Sequence, residues 1–339
     1  MRVAEMLRAV VPLVLTCFWS SVLLVMIAIT RLRNGPDAFQ PKKRQRPACL
    51  DDPQLGSHGF VTVGGIRLHY VENGDKSKPL LVLVHGFPAF WYCWHYQLKD
   101  LAKDYWVVAV DLRGYGQSDR PAGRDRYAVD LLAEDVSQLV LALGRTGCVL
   151  IGHDWGGIVA YRVAELRPTV VDKLIILNAP HRAAIQTLLR TSWNQLFRSW
   201  YVFMFQLPWL PETVMSLNDF AALERMFTEN KAVQHHYPQE LIDAFKYTFG
   251  EPGALTPPID YYRANFSFTQ SPIESPRIIC PLLVVWGERD KALSPVLATM
   301  SARYADRFTV RFLPEASHWV MMEYPQEVNG HIREFIQKE

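Results

Sequence analysis

Cysteine is scarce and unpatterned in this chain. Cys17, Cys49, Cys93, Cys148 and Cys280 are odd in number and lack metal-ligand spacing. That argues against a zinc site or a disulfide scaffold and fits a reducing compartment. Charge of one sign is also lacking: the formal net charge is +2 over 339 residues, too little for an extended basic face that would bind nucleic acid. The sequence holds no Gly-rich phosphate loop, internal repeat or low-complexity tract, so nucleotide binding and solenoid architectures drop out. No cofactor, no metal and no nucleic-acid partner are expected.

Apolar residues are plentiful, 49% against 21% charged, enough to bury a large core in one domain or in one domain with an insertion. From about Val10 to Thr30 the run VVPLVLTCFWSSVLLVMIAIT carries no charge, and about 20 apolar residues suffice to cross a bilayer. Residues 1–33 therefore read as a membrane anchor. A cleaved signal peptide is the alternative, but its apolar region is usually roughly 7–15 residues and a small-residue cleavage site should follow. Arg2 and Arg8 precede the run, whereas Arg31, Arg33, Lys42, Lys43, Arg44 and Arg46 follow it, which favours a cytosolic catalytic domain. Asn265-Phe266-Ser267 is a glycosylation sequon that would speak for the lumen if used. It lies in an aromatic segment expected to be buried.

Residues 34–58, rich in Pro, Gly, Lys and Arg, read as a tether that lifts the domain off the membrane. Gly64-Gly65 between FVTV and IRLHYV predicts a two-residue hairpin. The apolar runs LLVLVHG (80–86), WVVAVDL (106–112), CVLIG (148–152), KLIILN (173–178) and LLVVWG (282–287) predict strands buried on both faces, hence a mainly parallel α/β sheet with helices on both sides. Between about Pro180 and Pro276 the rhythm gives way to helical patterns and the aromatic segment SWNQLFRSWYVFMFQLPWLP. This predicts a helical cap, 180–276, inserted into a core of 59–179 and 277–339.

The chemistry gathers around Gly152-His153-Asp154-Trp155-Gly156-Gly157, where an apolar run ends and a helical pattern begins. Helix capping is the bland reading of Asp154. The flanking glycines permit something tighter, a nucleophile elbow that pushes the middle side chain out over the sheet. HGFP, His85 to Pro88, follows the first of the long apolar runs, and could equally be an ordinary turn. If both belong to one site, the backbone N–H groups of Phe87 and Trp155 form an oxyanion hole. His318, just after the run FTVRFL, is the candidate base ahead of His85, His153 and His181. Asp290, in WGERDKALSP, is the candidate acid that orients it, with Glu288 as its rival. Asn178, at the end of the run KLIILN, is not an acid and cannot serve in this role.

A carboxylate at the elbow suits attack on a saturated carbon. Serine would give an ether that water cleaves poorly; aspartate gives an ester whose carbonyl a His318-activated water can attack. Opening an epoxide also needs a proton donor for the alkoxide, and pattern alone leaves Tyr201, Tyr262, Tyr237, Tyr247 and Tyr261 in competition. An alkyl halide would instead need N–H donors, which Trp155 could supply.

The stretches HGFPAFWYCWHYQL, VVAVDLRGYGQSD, VLIGHDWGG, FQLPWLPE, DYYR, LLVVWGERD and EASHW together resemble the epoxide hydrolases of the α/β-hydrolase superfamily, nearest to the membrane-anchored animal types 3 and 4. The resemblance runs from about Ala48 to the C-terminus. It implies Asp154 as nucleophile, His318 and Asp290 as the water-activating pair, and Tyr201 and Tyr262 as ring-opening donors. It also implies epoxide and water as reactants, with lipid or fatty-acid epoxides as the expected substrate class and vicinal diols as products. A single-pass protein of the endoplasmic reticulum is expected, its catalytic domain cytosolic, with the lumen as alternative. A haloalkane-type dehalogenase and a noncatalytic membrane-tethered binding protein of the same fold are the competing readings. Against the first, Phe87 stands where many dehalogenases carry Asn; against the second, the residue set is complete.

Overall fold

The computed structural model describes residues 3–228, 230–266 and 275–338, with side chains from Val14 onward. The first helix, α1 (Val3–Asn34), contains the apolar stretch, which is long enough to cross a membrane over Val14–Asn34. The next two elements form the expected hairpin, β1 (Ser57–Val63) and β2 (Ile66–Asn73), with Val63 paired to Ile66 across the turn. Gly64 and Gly65 both take positive φ, 55° and 77°, as a two-residue turn matching the strand twist requires.

The rest of the sheet alternates with helices: β3 (Leu80–Val84), α2 (His95–Leu101), β4 (Trp106–Val110), α3 (Val129–Ala142), β5 (Cys148–His153), α4 (Trp155–Leu166) and β6 (Val171–Leu177). Among the described residues, six helices then interrupt it: α5 (Arg182–Thr191), α6 (Trp193–Arg198), α7 (Trp200–Phe205), α8 (Leu210–Thr228), α9 (Gln239–Gly250) and α10 (Thr256–Asn265). The sheet resumes with β7 (Leu282–Gly287), α11 (Val296–Ser301), β8 (Phe308–Leu313), α12 (Val320–Glu323) and α13 (Pro325–Gln337).

The eight strands lie in the order β1-β2-β4-β3-β5-β6-β7-β8, parallel from β4 onward and antiparallel at β1, β2 and their junction with β4. Every residue of β3, β4, β5 and β7 is buried. These runs therefore show no alternation in the sequence, because α3 with α4 and α2 with α13 cover the sheet. From β3 the chain moves one way to β4 and then crosses back to β5. The crevice beyond the carboxyl ends of β3 and β5 is thus the topological switch point, where open α/β sheets bind ligands.

Residues 34–58 differ from the expected free tether. Arg44 is bonded to Asp219 at 2.5 and 2.7 Å and to Asp243 at 3.3 Å, the Lys42 N–H donates to Asp219, and the Cys49 N–H donates to Glu240. Ala38, Leu50 and Leu55 are buried. The segment is strapped along α8 and α9. Local composition could not reveal this, since the acidic partners lie far along the chain. Asp219 itself sits in a break of α8, where Asn218, Asp219 and Phe220 take φ of 50°, 59° and 61°.

Asn265, the sequon residue, is half-buried and fully engaged. Its amide donates to the Tyr127 and Tyr261 carbonyls and accepts from the Val129 N–H. It thereby satisfies an otherwise unpaired donor in the first turn of α3.

Candidate active site

Asp154 sits between β5 and α4 with φ 50° and ψ −121°, a conformation costing about 1–3 kcal/mol in a residue with a side chain. Its capping reading fails, because the side chain makes no capping bond to α4. Gly152, Gly156 and Gly157 let the turn close: a Cβ on Gly156 would overlap the Val84 and His85 carbonyls, and one on Gly157 would overlap the Ala179 side chain. Gly86 is needed for the same reason, since its Cβ would overlap the Asp154 carboxylate.

The carboxylate is held on two sides. The Phe87 N–H donates to Oδ1 at 2.8 Å, and His318 Nε2 lies 3.6 Å from Oδ2. The Trp155 N–H is the first of helix α4, a position with no intrahelical acceptor. Burial would raise the Asp154 pKa, but the hydrogen bond and charge of His318, with the Phe87 N–H, hold it below the usual carboxylate range.

Behind His318, Nδ1 and Asp290 Oδ2 are 2.7 Å apart. Asp290 also accepts from the Ala292 and Leu293 N–H groups and from the Asn178 amide at 2.8 Å. Burial works against its ionisation and these donors outweigh it, so its pKa lies below the ordinary value. Burial likewise disfavours a charged His318, yet Asp290 and Asp154 together push its pKa up to about 10. The two carboxylates thus favour the imidazolium form of His318. Glu288 is exposed and stands outside this arrangement.

Asp154 opens onto a cavity of about 140 Å³ that Tyr201 and Tyr262 also line, with Trp155, Ile158, Ile185, Leu189 and Val202 among its apolar walls. The two tyrosine rings meet edge to face at 5.9 Å, and Tyr262 packs edge-on against Trp155 at 5.0 Å. Burial beside the Asp154 charge raises both phenol pKa values, so both stay protonated donors. The competing tyrosines lie elsewhere. The Tyr261 hydroxyl donates to the Arg113 carbonyl at 2.7 Å, Tyr237 packs on Phe227, and Tyr247 is partly buried against the core.

A family profile described as alpha/beta hydrolase fold matches residues 79–325. Human "Epoxide hydrolase 4" is 41% identical over 319 residues, 91% of this chain and 87% of that protein. "Epoxide hydrolase 3" of Xenopus tropicalis is 40% identical over 322 residues, 92% of this chain and 87% of that protein. The crystal structure of Bacillus megaterium epoxide hydrolase with an inhibitor superposes with a TM-score of 0.77 at 30% identity, covering 83% of this chain and all, 100%, of that one. The chain belongs to the epoxide hydrolases of the α/β-hydrolase fold. It is an enzyme that hydrolyses epoxides.

The other histidines of this epoxide hydrolase have local occupations. His85 lies 2.9 Å from the Gly86 carbonyl through Nδ1 and accepts from the Leu112 N–H, and His181 is paired with Glu165 at 2.8 Å. His153 Nε2 lies 2.9 Å from the His318 carbonyl oxygen, and burial, its largest influence, lowers its pKa to about 3. It is a neutral support beneath the His318 backbone. Asn178, set aside in the sequence as no acid, matters in another way: its oxygen accepts from the Gly287 N–H at 2.9 Å while its nitrogen donates to Asp290. Its signal in the sequence was its place at the end of a strand-like run.

Proposed function

We propose that the enzyme opens its substrate by attack of Asp154 Oδ2 on an oxirane carbon. The carbon–oxygen bond breaks, the ring oxygen takes a proton from Tyr201 or Tyr262, and a hydroxyalkyl ester of Asp154 results. Esterification removes the Asp154 charge and lowers the His318 pKa, so the imidazolium gives up its proton, which through solvent restores the tyrosinate to a phenol, and the neutral imidazole is left as a base. Water loses a proton to His318 and attacks the ester carbonyl, whose oxygen, Oδ1, gathers negative charge against the Phe87 and Trp155 N–H groups. Collapse expels the vicinal diol with Oδ2, and His318 returns the proton to the departing oxygen. The observation that carries this reading is the contact of one Asp154 carboxylate with both the Phe87 N–H at 2.8 Å and His318 at 3.6 Å.

His318→Gln should separate the two halves, since ester formation does not use the base. Intact-mass spectrometry should find one substrate mass added per protein and no turnover. Normal turnover in that variant, or no adduct with a substrate the parent consumes, contradicts the assignment.

Lipid or fatty-acid epoxides are the substrates this reading favours, because the cavity wall is mostly apolar and the chain carries an apolar N-terminal helix. A Bacillus megaterium relative has been crystallised with a naphthyloxy propane-1,2-diol product, at a TM-score of 0.77, which supports diol release from a bulky apolar epoxide. Helix α1 would anchor the enzyme in the endoplasmic reticulum membrane with the catalytic domain on the cytosolic side, as the six basic residues after the span favour.

A further inference from the structure

Helix α1 does not stand clear of the catalytic domain. Trp19 lies on Trp200 of α7 with ring centroids 4.7 Å apart, Leu23 is buried and Ile27 packs on the core. Four turns on, the Asn34 amide donates to Asn218 in α8 at 2.8 Å, and the Arg44 bonds to Asp219 and Asp243 fasten the chain that follows. At 1.5 Å per residue the stretch from Trp19 to Asn34 follows the cap for about 22 Å. A hydrocarbon core is about 30 Å thick, so α1 has too little free length to cross a membrane while the cap stays in water. The depth that Trp19 reaches, Trp200 must reach as well.

The outward sides of both elements are apolar. On α1, Phe18, Val22, Val25 and Ile29 are exposed at helical spacing opposite the packed face. On the cap, Trp193 and Phe197 are 69% and 68% exposed, at an interval of four residues that puts them on one side of α6, and Trp200, 40% exposed, opens α7 two residues beyond the end of α6. Trp200 joins the two sets. Isolated exposed apolar residues are ordinary, but a run this continuous marks an interaction surface.

We propose that α1 and the α6–α7 face of the cap form one lipid-facing surface, so that the cap rests in the acyl region of the bilayer and receives its epoxide from there. Large aromatic side chains flanking an apolar helix are the chemistry of a membrane interface. Tyr201, next to Trp200 in α7 with ring centroids 6.3 Å apart, lines the cavity. The proposed lipid-facing aromatic cluster thus touches a residue of the cavity wall through the Trp200–Tyr201 contact. The inference rests on the reading of α1 as a membrane anchor.

The test uses the full chain in phosphatidylcholine vesicles containing a lipid with a carbene precursor at its acyl end. After photolysis, adducts are expected in α1 and in the tryptic peptide 191–198, which holds Trp193 and Phe197. Phe60, Ile279 and Val296, also exposed apolar side chains, should stay unlabelled. Labelled α1 with an unlabelled 191–198 peptide overturns the shared surface and leaves the anchor standing. Absence of label from both overturns the anchor and the inference together. In parallel, the double variant Trp193→Ser with Phe197→Ser should raise KM for a vesicle-dissolved epoxide about tenfold or more and leave kcat on water-soluble styrene oxide unchanged. An unchanged KM for the vesicle-dissolved substrate contradicts delivery through this face.

Discussion

Asp154 combines two unfavourable conditions, a positive φ of 50° and a buried carboxylate, and each is compensated by neighbours to which the proposed mechanism also gives a part. The Phe87 N–H and the His318 imidazolium offset the desolvation, and the glycines around the turn make its close packing possible. Tyr201 and Tyr262 both line one cavity, so under the proposed mechanism either donor would cover in part for the other. Tyr201→Phe and Tyr262→Phe should each slow alkylation about tenfold to a hundredfold, and the double variant should nearly abolish it. Rapid-mixing measurement of ester formation checks this; parental rates in the double variant would assign proton donation to another group. Asp154, His318 and Asp290 stood out as candidates in the sequence because each follows a strand-like run. The two tyrosines were not separable from Tyr237, Tyr247 and Tyr261 by pattern, since nothing local says which side of a cap helix faces the sheet. The bracing of Asp290 by Asn178 was hidden because it depends on strands β6 and β7 lying side by side.

The strands were readable because burial on both faces leaves uninterrupted apolar runs, and the hairpin because Gly64-Gly65 has few alternatives. The turn from β5 to α4 is the element on which the site depends most. Gly156 packs against the carbonyls that close β3, and an added methyl must push α4 away from the sheet. Gly156→Ala should therefore lower stability by about 1–3 kcal/mol or more and reduce activity by displacing the Trp155 N–H. Thermal unfolding and turnover, measured side by side, check it; a variant with parental Tm and rate contradicts the packing argument. The 34–58 segment shows where composition misleads. Its prolines and basic residues resemble a linker, yet Arg44 finds Asp219 and Asp243 on cap helices. Partners from distant helices leave no trace in a local window.

The whole chain is arranged so that its parts converge on one crevice: Phe87 and Asp154 come from before the cap, Tyr201 and Tyr262 from within it, and Asp290 and His318 from after it. Its placement relative to a membrane follows from residues outside that crevice. Basic residues after the span favour the cytosol, and the amide of Asn265 is already committed to Tyr127, Tyr261 and Val129, which disfavours a glycan there. Protease added to sealed microsomes should degrade the catalytic domain. Protection until detergent is added, or an endoglycosidase-sensitive form that Asn265→Gln abolishes, would put the domain in the lumen. For the chemistry itself, the decisive question is where the oxygen in the first diol comes from. One turnover of excess enzyme on a racemic epoxide in ¹⁸O-labelled water, followed by mass analysis of diol and of the Asp154 peptide, answers it. An ester route through Asp154 requires unlabelled diol and label in the Asp154 carboxylate; labelled diol with an unlabelled peptide would mean that water attacks the epoxide directly.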